Sequence, residues 1–80
     1  MAIIQVIVPD DTDEATAKVS FVYVDLNARV MKGDPVVELV TQKAAREIEA
    51  PCEGEIVRIH VTEGDTVVPN QALVEIEETL

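Results

Sequence analysis

The second half of this 80-residue chain repeats the first. When the sequence is shifted by 37 residues, the segment 24–40 (VDLNARVMKGDPVVELV) aligns with the segment 61–77 (VTEGDTVVPNQALVEIE). Identical residues meet at four positions, namely Val24, Val30, Val37 and Glu38, and other apolar positions meet residues of the same kind. Neither half is long enough to bury an apolar face alone, so the repeat predicts two similar halves around one shared core.

Short apolar runs separated by turn residues predict that both halves are built from β-strands. The runs are 3–10, 18–24, a short strand before the turn at 32–35, 36–41, 46–51, 55–61, 66–68 and 72–78. Only Phe21 and Tyr23 are aromatic, so the core must be made largely of Val, Ile and Leu, and Val and Ile favour sheets. We therefore expect one all-β domain over residues 1–80, a flattened β-barrel or sandwich of two quasi-symmetric four-stranded sheets.

One segment, 41–50, is also compatible with a helix. Val40, Ala44 and Ile48 are spaced at i, i+4 and i+8, and alanine and glutamate favour helices. Periodicity alone leaves this alternative open. The repeat favours two strands joined by a tight turn, with Lys43 at the hairpin tip between the two halves and both chain termini at the opposite end.

The two halves differ in ways that predict local structure. Gly64 begins a turn in the second half where the first half has Asn27, so both positions are expected to adopt the left-handed backbone that these residues tolerate. Pro9 and Pro51 are 42 positions apart instead of 37. The additional residues fall in an acidic stretch, DDTDEA, which should form a protruding loop.

Charge and composition exclude several functions. The formal net charge of −10 argues against nucleic acid and anionic membranes as partners and favours a basic protein partner. The single cysteine, Cys52, cannot form an internal disulfide, and no Cys/His cluster has the spacing of a zinc site. The single histidine, His60, has no evident partner, and we find no nucleophile–base pair that would indicate an enzyme.

The segment KGDPVVELVTQKAAREIEAPCEGEIVRIHVTEGDTV (32–67) resembles the biotinyl/lipoyl carrier domain family. That family has a Gly-Asp turn, a strand, a modified lysine, a strand ending in Ala-Pro, a Gly-containing turn and a second Gly-Asp turn. The resemblance places the covalently modified lysine at Lys43, with Gly54 eleven residues after it. It implies that the hairpin residues around the lysine are Thr41, Gln42 and Ala44.

The residues around Lys43 distinguish two prosthetic groups within this resemblance. Lipoyl domains usually have Asp-Lys-Ala at the attachment site, whereas biotinyl domains have Met-Lys-Met. This chain has Thr-Gln-Lys-Ala, with Gln42 in place of the aspartate and Val40 in place of a common glutamate. The resemblance therefore implies lipoate on Lys43, with biotin as the alternative, in a domain most like that of a 2-oxo acid dehydrogenase acyltransferase. An unmodified adaptor with the same fold is a further alternative.

The resemblance also implies partners. They are a lipoate-protein ligase or lipoyl transferase, a 2-oxo acid decarboxylase, an acyltransferase core and dihydrolipoamide dehydrogenase, in a bacterial or archaeal cytoplasm or a mitochondrial matrix. The isolated domain is expected to be monomeric and non-catalytic. In the family the acidic loop helps partners identify the carrier, which here implicates Asp10, Asp11, Asp13 and Glu14. A solvated surface turn is the alternative interpretation of this loop.

Overall fold

The computed structural model describes residues 2–10 and 14–80, and this part of the chain contains eight β-strands and no helix. The strands are β1 (Ile3–Ile7), β2 (Ala17–Val22), β3 (Arg29–Val30), β4 (Pro35–Val40), β5 (Ala45–Glu49), β6 (Gly54–Ile59), β7 (Thr66–Val67) and β8 (Ala72–Glu78). No helix among these residues is long and apolar enough to cross a membrane. The all-β prediction is confirmed, and the alternative of a helix over 41–50 is wrong.

The strands form two four-stranded antiparallel sheets. We call the sheet with the order β1-β8-β6-β3 the terminal sheet, and the sheet with the order β5-β4-β2-β7 the hairpin sheet. The side chains between them form a core that is entirely aliphatic: Val6, Val8, Val19, Val30, Val36, Val37, Leu39, Ile48, Ala50, Ile56, Val61, Val67, Leu73, Val74 and Ile76. This is the core composition that a chain with two aromatic residues predicts.

The sequence repeat is visible as a two-fold relation between the sheets. A shift of 37 residues places β2 on β6, β3 on β7 and β4 on β8, and a shift of 42 places β1 on β5. These correspondences convert the strand order of one sheet into that of the other. Each sheet also takes two strands from either side of Lys43, so the predicted halves interlock.

Four turn residues with positive φ follow the same repeat. Asn27 has φ 69° and Gly64 has φ 95°, which confirms the predicted left-handed pair. Gly33 (φ 94°) and Asn70 (φ 71°) form a second pair at the same spacing. This second pair follows from the same shift of 37 residues in the sequence.

Gly54, which the resemblance places in a Gly-containing turn, lies in a strand instead. It is the buried first residue of β6, paired with Val30 on one side and with Glu78 on the other. A Cβ atom at this position would meet the Glu77 carbonyl oxygen and would lie 2.7 Å from Ile76 Cγ2. Gly54 therefore permits the close approach of β6 and β8.

Candidate functional site

Lys43 lies at the tip of the hairpin that joins β4 to β5. The last paired residues of the two strands are Val40 and Ala45, and the four residues 41–44 connect them. The side chains of Gln42, Lys43 and Ala44 are exposed, and Thr41 is half-buried. The structure thus places the residues predicted from the sequence together, on one solvent-facing turn.

The two-fold relation locates this turn with respect to the chain ends. The Thr41 amide donates to the Ala44 carbonyl at 2.9 Å, and the Glu78 amide donates to the Ala2 carbonyl at the same distance. The second hydrogen bond occupies the position equivalent to the first, where β8 meets the start of β1. Lys43 in the hairpin sheet therefore occupies the position that is equivalent, under the two-fold relation, to the chain ends in the terminal sheet.

Thr41 fixes the conformation of the turn from within. Its Oγ1 accepts hydrogen bonds from the Lys43 and Ala44 amides, each at 3.3 Å, and donates to the Ala44 carbonyl at 3.3 Å. A hydroxyl that bonds the backbone two and three residues ahead is a common device in tight turns. The backbone that bears Lys43 is therefore held in one geometry while its side chain is exposed.

The acidic segment before β2 reaches the same turn. Glu14 Oε2 accepts a hydrogen bond from the Gln42 amide at 3.1 Å, so a carboxylate lies beside the residue preceding Lys43. Asp10 is exposed at the other end of the segment. Asp11 and Asp13, which were also implicated in partner recognition, lie outside the described residues. The resemblance to the carrier family implies that the acidic loop lies beside the lysine hairpin. The contact between Glu14 and Gln42, which are 28 positions apart in the sequence, agrees with that placement.

An open groove of about 710 Å³ runs beside the hairpin. Its lining comes from residues 14–18, residues 40–42 and Thr66. Glu14 and Lys18 are both among the lining residues. Because residues 40–42 belong to the lining, the groove lies directly beside the turn that bears Lys43.

Within the described part of the chain, Cys52 and His60 are not part of a second reactive site. Burial, with a smaller contribution from the Glu78 charge, raises the pKa of the Cys52 thiol, which disfavours the nucleophilic thiolate. His60 Nε2 lies 2.6 Å from Glu75 Oε2, so the expectation that His60 has no partner is wrong. In residues 2–10 and 14–80, no three His, Cys, Asp or Glu side chains are grouped to hold a metal ion.

Comparison with known proteins identifies the family of this chain. The sequence profile of the biotin/lipoyl attachment family, described as biotin-requiring enzyme, matches residues 4–76. The chain belongs to this family. No curated protein matches the sequence.

Two solved structures share the biotin/lipoyl fold with this chain. A single-chain, multi-domain long-chain acyl-CoA carboxylase is 22% identical, with a TM-score of 0.81 over 98% of this chain and 7% of the carboxylase. The lipoyl domain of the 2-oxoglutarate dehydrogenase complex from Azotobacter vinelandii is 24% identical, with a TM-score of 0.72 over 91% of this chain and 96% of that domain. The chain thus spans a small part of the carboxylase and nearly all of the lipoyl domain.

Proposed function

We propose that this chain is a lipoyl carrier domain in which Lys43 bears the lipoyl group. In this role it shuttles acyl groups and reducing equivalents between the active sites of a 2-oxo acid dehydrogenase complex. The observation that supports the proposal is the position of Lys43, exposed at the tip of a hydrogen-bonded hairpin in a biotin/lipoyl family fold. Localisation in a bacterial or archaeal cytoplasm or a mitochondrial matrix is part of the same proposal.

The hairpin suits covalent attachment. The Lys43 amine would form an amide with an activated carboxyl group presented by a ligase or transferase, and it would lose its positive charge in doing so. Lysine amines are ordinarily protonated near neutral pH and are then poor nucleophiles. The reaction therefore depends on an external enzyme that binds the exposed turn. When bound, the lipoyl group supplies a dithiolane that accepts and passes on acyl groups and electrons.

Once modified, the domain contributes position and not catalysis. Thr41 holds the turn by hydrogen bonds to the amides on both sides of the Lys43 carbonyl, so the arm is attached at a fixed point. A long arm on a compact body raises the local concentration of the carried group at each active site it can reach. The partners proposed for this cycle are a 2-oxo acid decarboxylase, an acyltransferase core and dihydrolipoamide dehydrogenase.

Two observations favour lipoate over biotin. Thr41 and Ala44 match the lipoyl pattern, and neither methionine of the biotinyl pattern flanks Lys43. The aspartate that usually precedes the lysine is replaced by Gln42, but Glu14 places a carboxylate on the Gln42 amide at 3.1 Å. The negative charge expected beside the lysine is thus supplied from the acidic segment. A biotinyl carrier is the second candidate, because the acyl-CoA carboxylase shares the fold over 98% of this chain.

Intact mass of the purified protein tests the assignment. The domain is co-expressed with a lipoate-protein ligase and lipoate, or with a biotin-protein ligase and biotin. We expect one lipoyl group per chain, lost in Lys43→Arg and retained in the matched control Lys32→Arg. Biotin uptake at Lys43 would favour the second candidate, and a bare lysine under both conditions would indicate an adaptor.

We further propose that the acidic segment helps partners to recognise the carrier. Glu14 contacts the hairpin, and Asp10, Asp11 and Asp13 add negative charge to the same stretch of sequence. We expect Glu14→Lys to slow acylation by the decarboxylase partner more than it slows attachment of lipoate. Glu63→Lys, which makes the same charge change in an exposed turn, should slow neither reaction. Equal effects of the two substitutions would favour the alternative interpretation, in which the segment is only a solvated surface turn.

A further inference from the structure

The outer face of the hairpin sheet bears both aromatic residues of the chain next to two carboxylates. Phe21, Glu38 and Glu47 are cross-strand neighbours in β2, β4 and β5, and so form one row across the sheet. Tyr23 packs edge-on against Phe21 with ring centroids 4.8 Å apart, and its hydroxyl donates to Glu47 Oε2 at 2.9 Å. We call these four residues the aromatic-acidic face. Phe21 and Tyr23 are 46% and 39% exposed.

The two-fold relation provides an internal comparison for this row. In the terminal sheet the equivalent neighbours are Arg58, Glu75 and Gln5, and His60 stands at the position of Tyr23. Glu75 lies 3.9 Å from Arg58 Nε and 2.6 Å from His60 Nε2. At the same backbone positions, the terminal sheet thus has one carboxylate with two basic partners.

The hairpin sheet lacks this compensation. Glu38 accepts a hydrogen bond from the Ser20 hydroxyl at 2.6 Å, and Glu47 accepts one from Tyr23. Among residues 2–10 and 14–80, no cationic side chain forms an ion pair with either carboxylate. Like charges directly opposite each other destabilise a sheet. Aromatic rings that stay exposed to water do not contribute the stabilisation that burial would give. Because the fold accepts a compensated row in its other half, folding alone does not account for this one.

We propose that the aromatic-acidic face is a docking surface for a basic partner protein that places an arginine side chain on it. A guanidinium group is planar, stacks on aromatic rings and pairs with carboxylates in a fixed geometry, so it satisfies both elements of the face at once. Lysine supplies the charge without the planar stacking. The terminal sheet also exposes two aliphatic side chains, Ile3 and Ile7, but its central carboxylate is already paired.

The face lies close to the hairpin tip. The Glu38–Glu47 pair is two residues along each strand from the last pair, Val40–Ala45, which corresponds to roughly 7 Å. A partner that covers the face can therefore also contact the turn bearing Lys43. The docking itself does not depend on the group that Lys43 carries, so the inference goes beyond the carrier function.

Nuclear magnetic resonance titration of the full chain, unmodified at Lys43, tests the proposal. The probes are two synthetic peptides of equal length and charge, one rich in arginine and the other with lysine at the same positions. We expect the arginine peptide to bind more tightly and to shift the amide signals of Phe21, Tyr23, Glu38 and Glu47 most. Shifts spread evenly over the acidic residues of both sheets, or equal affinity for the two peptides, would overturn the proposal.

The repeat supplies a matched variant. Phe21→Arg, Tyr23→His and Glu47→Gln together install the terminal-sheet row at positions where the same backbone already accepts it. We expect this variant to keep a dispersed spectrum and to bind the arginine peptide at least about fivefold more weakly. Glu38→Gln with Glu47→Gln, which keeps the rings, should also weaken binding. The control Arg58→Gln should not weaken it. Unchanged affinity in the variants, or self-association through the aromatic pair without peptide, would contradict the inference.

Discussion

At the scale of single residues, backbone geometry decides which amino acids are accepted at the four turn positions with positive φ. Asn27 and Gly64 share one left-handed position, and Gly33 and Asn70 share another. Each position holds glycine in one half and asparagine in the other, which are the residues that adopt this conformation most easily. Exchange between them should therefore be tolerated, whereas any β-branched residue should be strained there.

Gly54 imposes a stricter requirement, because its constraint is space. We predict that Gly54→Ala lowers the free energy of unfolding by about 3 kcal/mol, since the added methyl group forces β6 and β8 apart. Gly33→Ala, with nothing within 4 Å of the new Cβ, should cost only about 1 kcal/mol for its positive φ. Gly33→Asn should be close to neutral, because Asn70 occupies the equivalent position. Urea denaturation measures all three, and an equal loss for Gly54→Ala and Gly33→Ala would contradict this account.

At the scale of strands and turns, the sequence predicts the elements better than it predicts their cross-strand partners. The repeat and the apolar runs locate eight strands and place Lys43 at a hairpin tip, because both depend on local pattern. The row of Phe21, Glu38 and Glu47 depends on register, and register slips between Val19 and Phe21. An equivalent slip occurs between Ile56 and Arg58. A slip of one residue moves a side chain to the other face, and no local pattern in these strands indicated it.

The hydrogen bond between Tyr23, the residue that follows β2, and Glu47 of β5 spans β4 and can be measured directly. That bond, with burial and the charges of Glu47 and Glu38, raises the pKa of Tyr23 above its ordinary value of 10.0. A raised pKa in the folded state means that the contribution to stability is present below about pH 10 and is lost as the pH rises through the folded-state pKa.

Because Tyr23 is the only tyrosine and the chain has no tryptophan, its ionisation can be followed by ultraviolet absorbance. We predict that Glu47→Gln lowers the pH of half-ionisation toward that of free tyrosine. Glu49→Gln, on the same strand, should leave it nearly unchanged. If the pH of half-ionisation of Tyr23 is the same in Glu47→Gln as in the unsubstituted chain, the hydrogen bond does not persist in solution.

At the scale of the whole molecule, the repeat produces interlocking halves. The terminal sheet takes β1 and β3 from before Lys43 and β6 and β8 from after it, and the hairpin sheet takes β2 and β4 from before and β5 and β7 from after. The single aliphatic core therefore draws on both halves in both sheets. The sequence suggested that neither half could bury its apolar face alone, and the strand order gives the physical reason.

This arrangement predicts that the domain can be cut at its functional turn and reassembled. Fragments 1–42 and 43–80 should each be unfolded alone, because every sheet would lack two of its strands. Mixed in equal amounts, they should recover the dispersed amide spectrum of the intact chain, since the cut falls in the exposed loop between Val40 and Ala45. The free energy recovered will be smaller than in the intact chain, because association costs entropy that the covalent turn removes. A native-like spectrum from either fragment alone would mean that one half can fold without the other.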